Sequence, residues 1–301
     1  MITQLSQIVE SARSRGRRRL AVACANDAHT LHAVEDARRE GLVDATLFGE
    51  RAGIEATCRA EGIDPSNYTI VDESNDLKCV AQAVALVAGN GADVLMKGLV
   101  STDKYMRGIL NKEAGLFPAK GTLSHVSVVE MPGRGKLLCV ADVAVIPLPD
   151  FKQKTILIKY LAGIAGSLGI DKPKIACIAP SEQVLPAVIS STEACILAKM
   201  ADRGQLGKVT VDGPLSLDVA LYPEVAVEKK VQGSSVAGDA DCLLFPNIES
   251  GNVFFKSATH FGGAEIAAIV VGTNRPCVLT SRGDTPRTKL YSIALACLQC
   301  K

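Results

Sequence analysis

Short β-branched runs alternate with longer helix-periodic ones along nearly the whole chain, and this cadence restricts the fold more than any other feature. Strand-like segments read at 19–25, 44–49, 68–72, 93–98, 125–131, 136–142, 174–179, 208–213, 242–247, 265–272 and 277–280. Between most of them lie helical patterns such as "NDLKCVAQAVALVAGNG", where Leu77, Val80, Ala81, Val84 and Val87 are expected to share one buried face. Strand, helix, strand at this spacing predicts an α/β fold of mostly parallel sheets covered on both faces, a three-layer αβα arrangement.

One interval breaks the alternation. Two strands follow each other across "PGRG" between 125 and 142, where a turn replaces a crossover helix. A hairpin there interrupts the parallel winding, so two domains are expected, 1–133 and 134–284, with the helix of 285–301 packing back on the first.

Composition removes several function classes. The 301 residues carry 33 basic and 32 acidic side chains, a formal charge of +1, which gives neither nucleic acid nor a membrane surface a field to bind. No window approaches the roughly 20 unbroken apolar residues of a spanning helix. The amino terminus contains Glu10, lacks a continuous apolar stretch and runs straight into a strand, so it reads as part of the fold rather than a leader. Ten scattered cysteines, several in apolar runs such as "KIACIA", read as core residues of a reducing, cytoplasmic compartment; Cys297 and Cys300 form a C-x-x-C read as a plain tail.

Ligands of open α/β sheets sit beyond the carboxyl ends of the strands, so the informative residues follow each apolar run. After "DVLM", Lys97, Ser101, Thr102, Lys104 and Arg107 surround a helix start, which suits a polyanion and equally suits an ordinary solvated basic face. Asp241, Asn247 and Asn252 flank the strand of 242–247, where acids and amides serve capping and turns or bind a ligand. No D-x-D-x-D-G loop or histidine pair at helical spacing is present, so no metal site is expected. The four histidines, His29, His32, His125 and His260, lack a nucleophile motif, and "CANDAHT" after the first strand replaces the glycine fingerprint of a dinucleotide site.

The stretch "VLTSRGDTPRTKLYSIALA" places Ser281, Arg282 and Asp284 between a strand end and a helix start. Pro286 fits the first helical position with Thr285 as cap. Such a loop can bind an anion through a guanidinium fork, a hydroxyl and the helix dipole, or it can be a capping turn with a surface arginine.

Six blocks in one order, "MKGLVSTDKYMRGILNKEAGL", "LSHVSVVE", "LAKMADRGQL", "VDGPLSLD", "VAGDADCLLFPNIESGNVFFKS" and "LTSRGDTPRTKLYSIALA", resemble the phosphate acetyl/butyryltransferase family, and most closely its butyryltransferase branch. The resemblance implies reversible transfer of a short acyl group, butyryl or acetyl, between coenzyme A and inorganic phosphate. It further implies a homodimer, coenzyme A as substrate with no bound cofactor, an isocitrate/isopropylmalate dehydrogenase-like fold, and an active site in an interdomain cleft. By the same resemblance Ser281 and Arg282 bind phosphate and stabilise transition-state charge, and Arg107 matches the arginine of the helix after the "KG" strand. Lys97, Ser101, Thr102, Asp241, Asn247 and Asn252 complete the candidate phosphate and coenzyme A set. Two positions depart from the family: Thr288 stands where the acetyl branch has a proposed thiol base, and Ile146 where it has an asparagine. Asp284, or a water held by Asp241, is the substitute base. The alternatives are a metal- and NAD-dependent decarboxylating dehydrogenase of the same fold and a catalytically weak binding relative.

Overall fold

The computed structural model describes residues 1–281 and 283–300. Eleven strands are found among them, one for each strand-like run. They are β1 (Arg18–Ala23), β2 (Val43–Gly49), β3 (Thr69–Asp72), β4 (Val94–Lys97), β5 (Ser124–Glu130), β6 (Leu138–Ala141), β7 (Lys174–Ile178), β8 (Thr210–Leu215), β9 (Cys242–Leu244), β10 (Glu265–Val271) and β11 (Cys277–Val278). The helices are α1 (Leu5–Ser14), α2 (Ala28–Arg39), α3 (Arg51–Ala60), α4 (Asp76–Ala88), α5 (Thr102–Leu110), α6 (Phe151–Ser167), α7 (Ile189–Asp202), α8 (Leu217–Leu221), α9 (Pro223–Glu228), α10 (Ile248–His260) and α11 (Pro286–Gln299).

The chain forms two compact units, Leu5–Leu123 with Ile266 onward, and Met1–Gln4 with Ser124–Glu265. The division therefore falls at 123/124 rather than the expected 133/134, and 266–284 joins the first unit rather than the second. The reason is strand pairing. β5 bonds antiparallel to β6, with Ser127 opposite Val140, so the hairpin lies whole in one unit. β11 pairs with β4, Cys277 opposite Leu95, which carries the late strands back to the early ones.

In the first unit the strand order is β3-β2-β1-β4-β11-β10, parallel except at β10. The β10–β11 antiparallel pair closes across Thr273–Pro276 and is a second hairpin that the sequence reading did not anticipate. β1 runs through α2 to β2 on one side, while β4 arrives on the other; β1 and β4 thus flank the point where the winding reverses. Right-handed crossovers then put α2 and α3 on one face and α4 on the other. α1 packs on α11, α11 on α2, and α5 on α4. The second unit has the order β5-β6-β9-β7-β8, parallel after the first pair.

Two helices correct the sequence reading. In α4 the buried residues are Cys79, Val80, Ala83, Val84 and Val87, whereas Leu77 and Ala81 are exposed. The apolar stripe is rotated because a small cysteine and alanine fit against the sheet beneath. In α11 every residue from Tyr291 to Leu298 is buried, so Cys297 and Cys300 belong to the core rather than to a fraying tail. Burial pushes the Cys300 thiol up to about 11.

A buried polar knot fixes α2 to the chain entering β3. Glu35 is 3 % exposed and accepts hydrogen bonds from Arg38 Nε at 2.8 Å, Arg39 Nε at 2.6 Å and Tyr68 OH at 2.5 Å. The Arg38 guanidinium, followed against the effect of burial by Tyr68 and Arg39, holds its carboxyl at about 2 instead of 4.5. A carboxyl depressed on folding contributes stability that is full above its unfolded value and disappears as the pH falls through its folded value. Glu35→Gln is therefore expected to remove about 3 kcal/mol at neutral pH and to flatten the acid limb of thermal melts between pH 4.5 and about 2.

Candidate functional site

Three neighbouring parallel strands, β1, β4 and β11, end side by side, and each carboxyl end leads into a helix amino end. β1 leads through Cys24–Asp27 to α2, β4 through Gly98–Ser101 to α5, and β11 through Leu279–Thr285 to α11. Each helix start is capped: Asp27 accepts from Thr30 N at 2.9 Å, Ser101 from Lys104 N at 3.3 Å, and Thr285 from Thr288 N at 3.2 Å. Pro286 is the first helical residue of α11, as the sequence predicted.

A cleft of about 250 Å³ opens at these strand ends, lined by Asp27, His29, Lys97, Gly98, Ser281 and Lys289 among others. Such positions at a winding reversal are where open α/β sheets take ligands. Gly98 makes the geometry possible. Its N–H donates to Ala23 O at 2.8 Å, and a Cβ placed on it would stand 2.3 Å from Cys24 O and 2.9 Å from Ala23 O. Only a glycine lets β4 turn away this close to the end of β1. Cys24 itself takes a left-handed φ of 57°, and its N–H donates to Cys79 Sγ at 3.0 Å. Tyr105, fully buried on α5, donates its hydroxyl to Val278 O at 3.1 Å and so ties α5 to the end of β11.

Lys97, 3 % exposed, donates to Gly98 O at 3.3 Å. Lys289, equally buried, donates to Ser281 O at 2.9 Å and Thr280 Oγ1 at 3.4 Å. Burial lowers its pKa, while Asp284 and Asp27 act against that shift. Asp284 Oδ2 accepts from Ser281 N at 2.7 Å, so the loop is gripped at both the amide and the carbonyl of Ser281.

Of the residues expected to form a site, Lys97 and Ser281 meet in this cleft, and Asp284 braces it. Arg282 lies outside the described residues. Ser101 is the α5 cap and Thr102 the exposed first residue of that helix. Arg107 stands in the last turn of α5, exposed, with its Nε 3.2 Å from Asp103. It does not line the cleft. Lys104 is committed to Asp76 at 2.6 Å.

Asp241, Asn247 and Asn252 belong to the other unit. Asp241 precedes β9, at the amino rather than the carboxyl ends of its parallel strands. Its oxygens accept from Lys136 Nζ at 2.8 Å and Lys174 N at 2.9 Å. They tie together the amino ends of β6, β9 and β7, and Asp241 is not among the residues lining the cleft. Asn247 caps α10 by accepting from Ser250 N at 2.9 Å, as the capping alternative predicts, whereas Asn252, inside that helix, donates across the unit to Val143 O at 3.0 Å.

The sequence reading missed Lys289 and the α2 entry loop. A lysine inside an otherwise apolar helix, "KLYSIALACL", was the available signal for the first. For the second it was "CAND" at a strand end with Asp27 in a capping position. Among the described residues no three His, Cys, Asp or Glu side chains gather as a metal-holding group, and no helix is long and apolar enough to cross a membrane.

Comparison with known proteins agrees with the six sequence blocks. Residues 75–297 match the family described as "Phosphate acetyl/butaryl transferase". The chain is 43 % identical to the phosphate butyryltransferase of Clostridium acetobutylicum, covering 99 % of this chain and 98 % of that one. It is 37 % identical to the phosphate acetyltransferase of Thermotoga maritima, covering 97 % and 98 %. Among solved structures, a branched-chain phosphotransacylase from Enterococcus faecalis superposes with a TM-score of 0.82 at 31 % identity, covering 94 % of this chain and all of that one. With the fold, the motif blocks and near full-length relatives in agreement, the chain belongs to the phosphate acetyl/butyryltransferase family.

Proposed function

We propose that the chain catalyses acyl-CoA + phosphate = acyl phosphate + CoA, with butyryl or acetyl as the acyl group and coenzyme A as substrate rather than bound cofactor. The observation that carries the reading is the cleft at the ends of β1, β4 and β11, where the loop of the terminal family block meets a buried lysine. A phosphate oxygen attacks the thioester carbonyl, the C–O bond forms, and a tetrahedral oxyanion collapses by breaking the C–S bond; the thiolate leaves and takes a proton. In the reverse direction the thiolate attacks the acyl phosphate, which is already activated. The thiol needs only modest help to ionise, since its free pKa is about 8.5. The protein's task is to bring two anionic reactants together and neutralise the oxyanion.

Ser281 and Lys97 bind phosphate in this reading, Arg282 forks onto its oxygens, and the α5 amino end with Ser101 and Thr102 adds dipole. Arg107 serves a coenzyme A phosphate, since an exposed pair such as Arg107–Asp103 is worth under about 1 kcal/mol and opens readily. The ten free cysteines fit a reducing, cytoplasmic setting. The decarboxylating dehydrogenase finds no metal-holding acid group among the described residues.

Asp284 is the proposed thiol base in place of Thr288. One of its oxygens accepts from the Ser281 amide, and in this reading the other takes the thiol proton. Asp284→Asn keeps an acceptor for that amide, so loop geometry is expected to persist while kcat falls about tenfold or more and phosphate KM stays within about twofold. Unchanged kcat removes Asp284 as base, and a rise in phosphate KM alone makes it a brace of the loop.

The reading is tested in reverse, by supplying coenzyme A with acetyl, butyryl and branched acyl phosphates and following thioester formation. Turnover of at least one short acyl phosphate is expected; failure of all of them rejects it.

A further inference from the structure

Lys289 is placed badly for a residue with only a structural duty. It sits in the first turns of α11, where the helix dipole disfavours a cation. It is buried, which disfavours its charged form. The hydrogen-bond acceptors recorded for it, Thr280 Oγ1 and Ser281 O, are neutral. Two carboxylates act on it from nearby, Asp27, which also accepts from Thr30 N, and Asp284, which also accepts from Ser281 N, and neither is a recorded hydrogen-bond partner of its ammonium. A second buried ammonium, Lys97, lines the same cleft. Lys289 thus lies, with Ser281 and Asp27, on the wall of a cleft beside the amino end of α2, and an anion bound there gives the buried ammonium a charged acceptor that its neutral hydrogen-bond partners do not supply.

We propose that Lys289 is a phosphate-binding residue of the transfer site, its ammonium reaching a phosphate oxygen while it holds the Ser281 carbonyl that shapes the loop. The inference rests on the transfer reading above and adds to it a cation contributed from inside the terminal helix.

The test compares wild type with Lys289→Gln and Lys289→Arg. Glutamine retains a donor for the Ser281 carbonyl and removes the charge; arginine retains the charge. For Lys289→Gln the phosphate KM is expected to rise roughly 10- to 100-fold, the range of one charge-assisted hydrogen bond, with acyl-CoA KM within about twofold. Lys289→Arg should recover part of that loss. Inorganic phosphate alone should raise the wild-type melting temperature and leave that of Lys289→Gln unmoved. A wild-type phosphate KM in Lys289→Gln overturns the inference, as does an equal rise in both KM values, which marks loop anchoring only. The thermal shift keeps the two claims apart. A wild type that phosphate stabilises through Lys289 but that transfers no acyl group keeps the anion site and loses the transfer reading. If phosphate stabilises both proteins equally while the wild type turns over, the transfer reading stands and the role of Lys289 falls.

Discussion

Arg282→Ala is expected to lower kcat about 10²- to 10³-fold, the usual cost of removing one preorganised donor to a developing oxyanion. The residues around it support the expectation. Ser281 lines the cleft, and its amide and carbonyl are held by Asp284 and Lys289, so Ser281 itself is presented from a fixed backbone. Arg282→Lys should restore only part of the rate, because an ammonium cannot reproduce the two parallel bonds of a guanidinium. Steady-state kinetics with phosphate and acyl-CoA varied separately check this. Wild-type kcat in Arg282→Ala excludes the residue from the chemistry.

Gly98→Ala carries the second large effect, although it changes no reacting group. The added methyl would meet two backbone oxygens, Cys24 O at 2.3 Å and Ala23 O at 2.9 Å. Neither can rotate away, so the end of β4 must lift from β1, and Lys97 and the start of α5 move with it. A displacement of about 1 Å at a site of this kind costs about 100-fold in rate, and the crowded sheet end should lose about 1–3 kcal/mol of stability. Kinetics and a thermal melt of the same sample read both. Unchanged rate with a lowered melting temperature would detach this strand end from function.

Local chemistry made much of this legible from residues alone. Thr285 and Pro286 specify a helix start without help from the rest of the chain, and each strand-like run became a strand. "PGRG" specified a hairpin for the same reason. What stayed hidden depended on partners distant in sequence. β11 reaches β4 across about 180 residues, so no local pattern could assign 266–284 to the first unit. The Asp27 loop counts as part of a cleft only because Lys97 and Ser281 arrive beside it. Asp241 looked available for a ligand until its strand gained β7 as neighbour and Lys136 as counter-ion. The six family blocks carried the function reading further than spacing did, because their order constrains the whole chain at once.

Transfer of an acyl group between coenzyme A and phosphate in this cleft requires both reactants for any turnover. The initial rate of thioester loss from butyryl-CoA and acetyl-CoA, measured against inorganic phosphate concentration, tests it most directly. A rate that is negligible without phosphate and saturates as phosphate rises, with one acyl phosphate formed per thiol released, is the predicted result. Thioester loss independent of phosphate, or none with any short acyl chain, would contradict it.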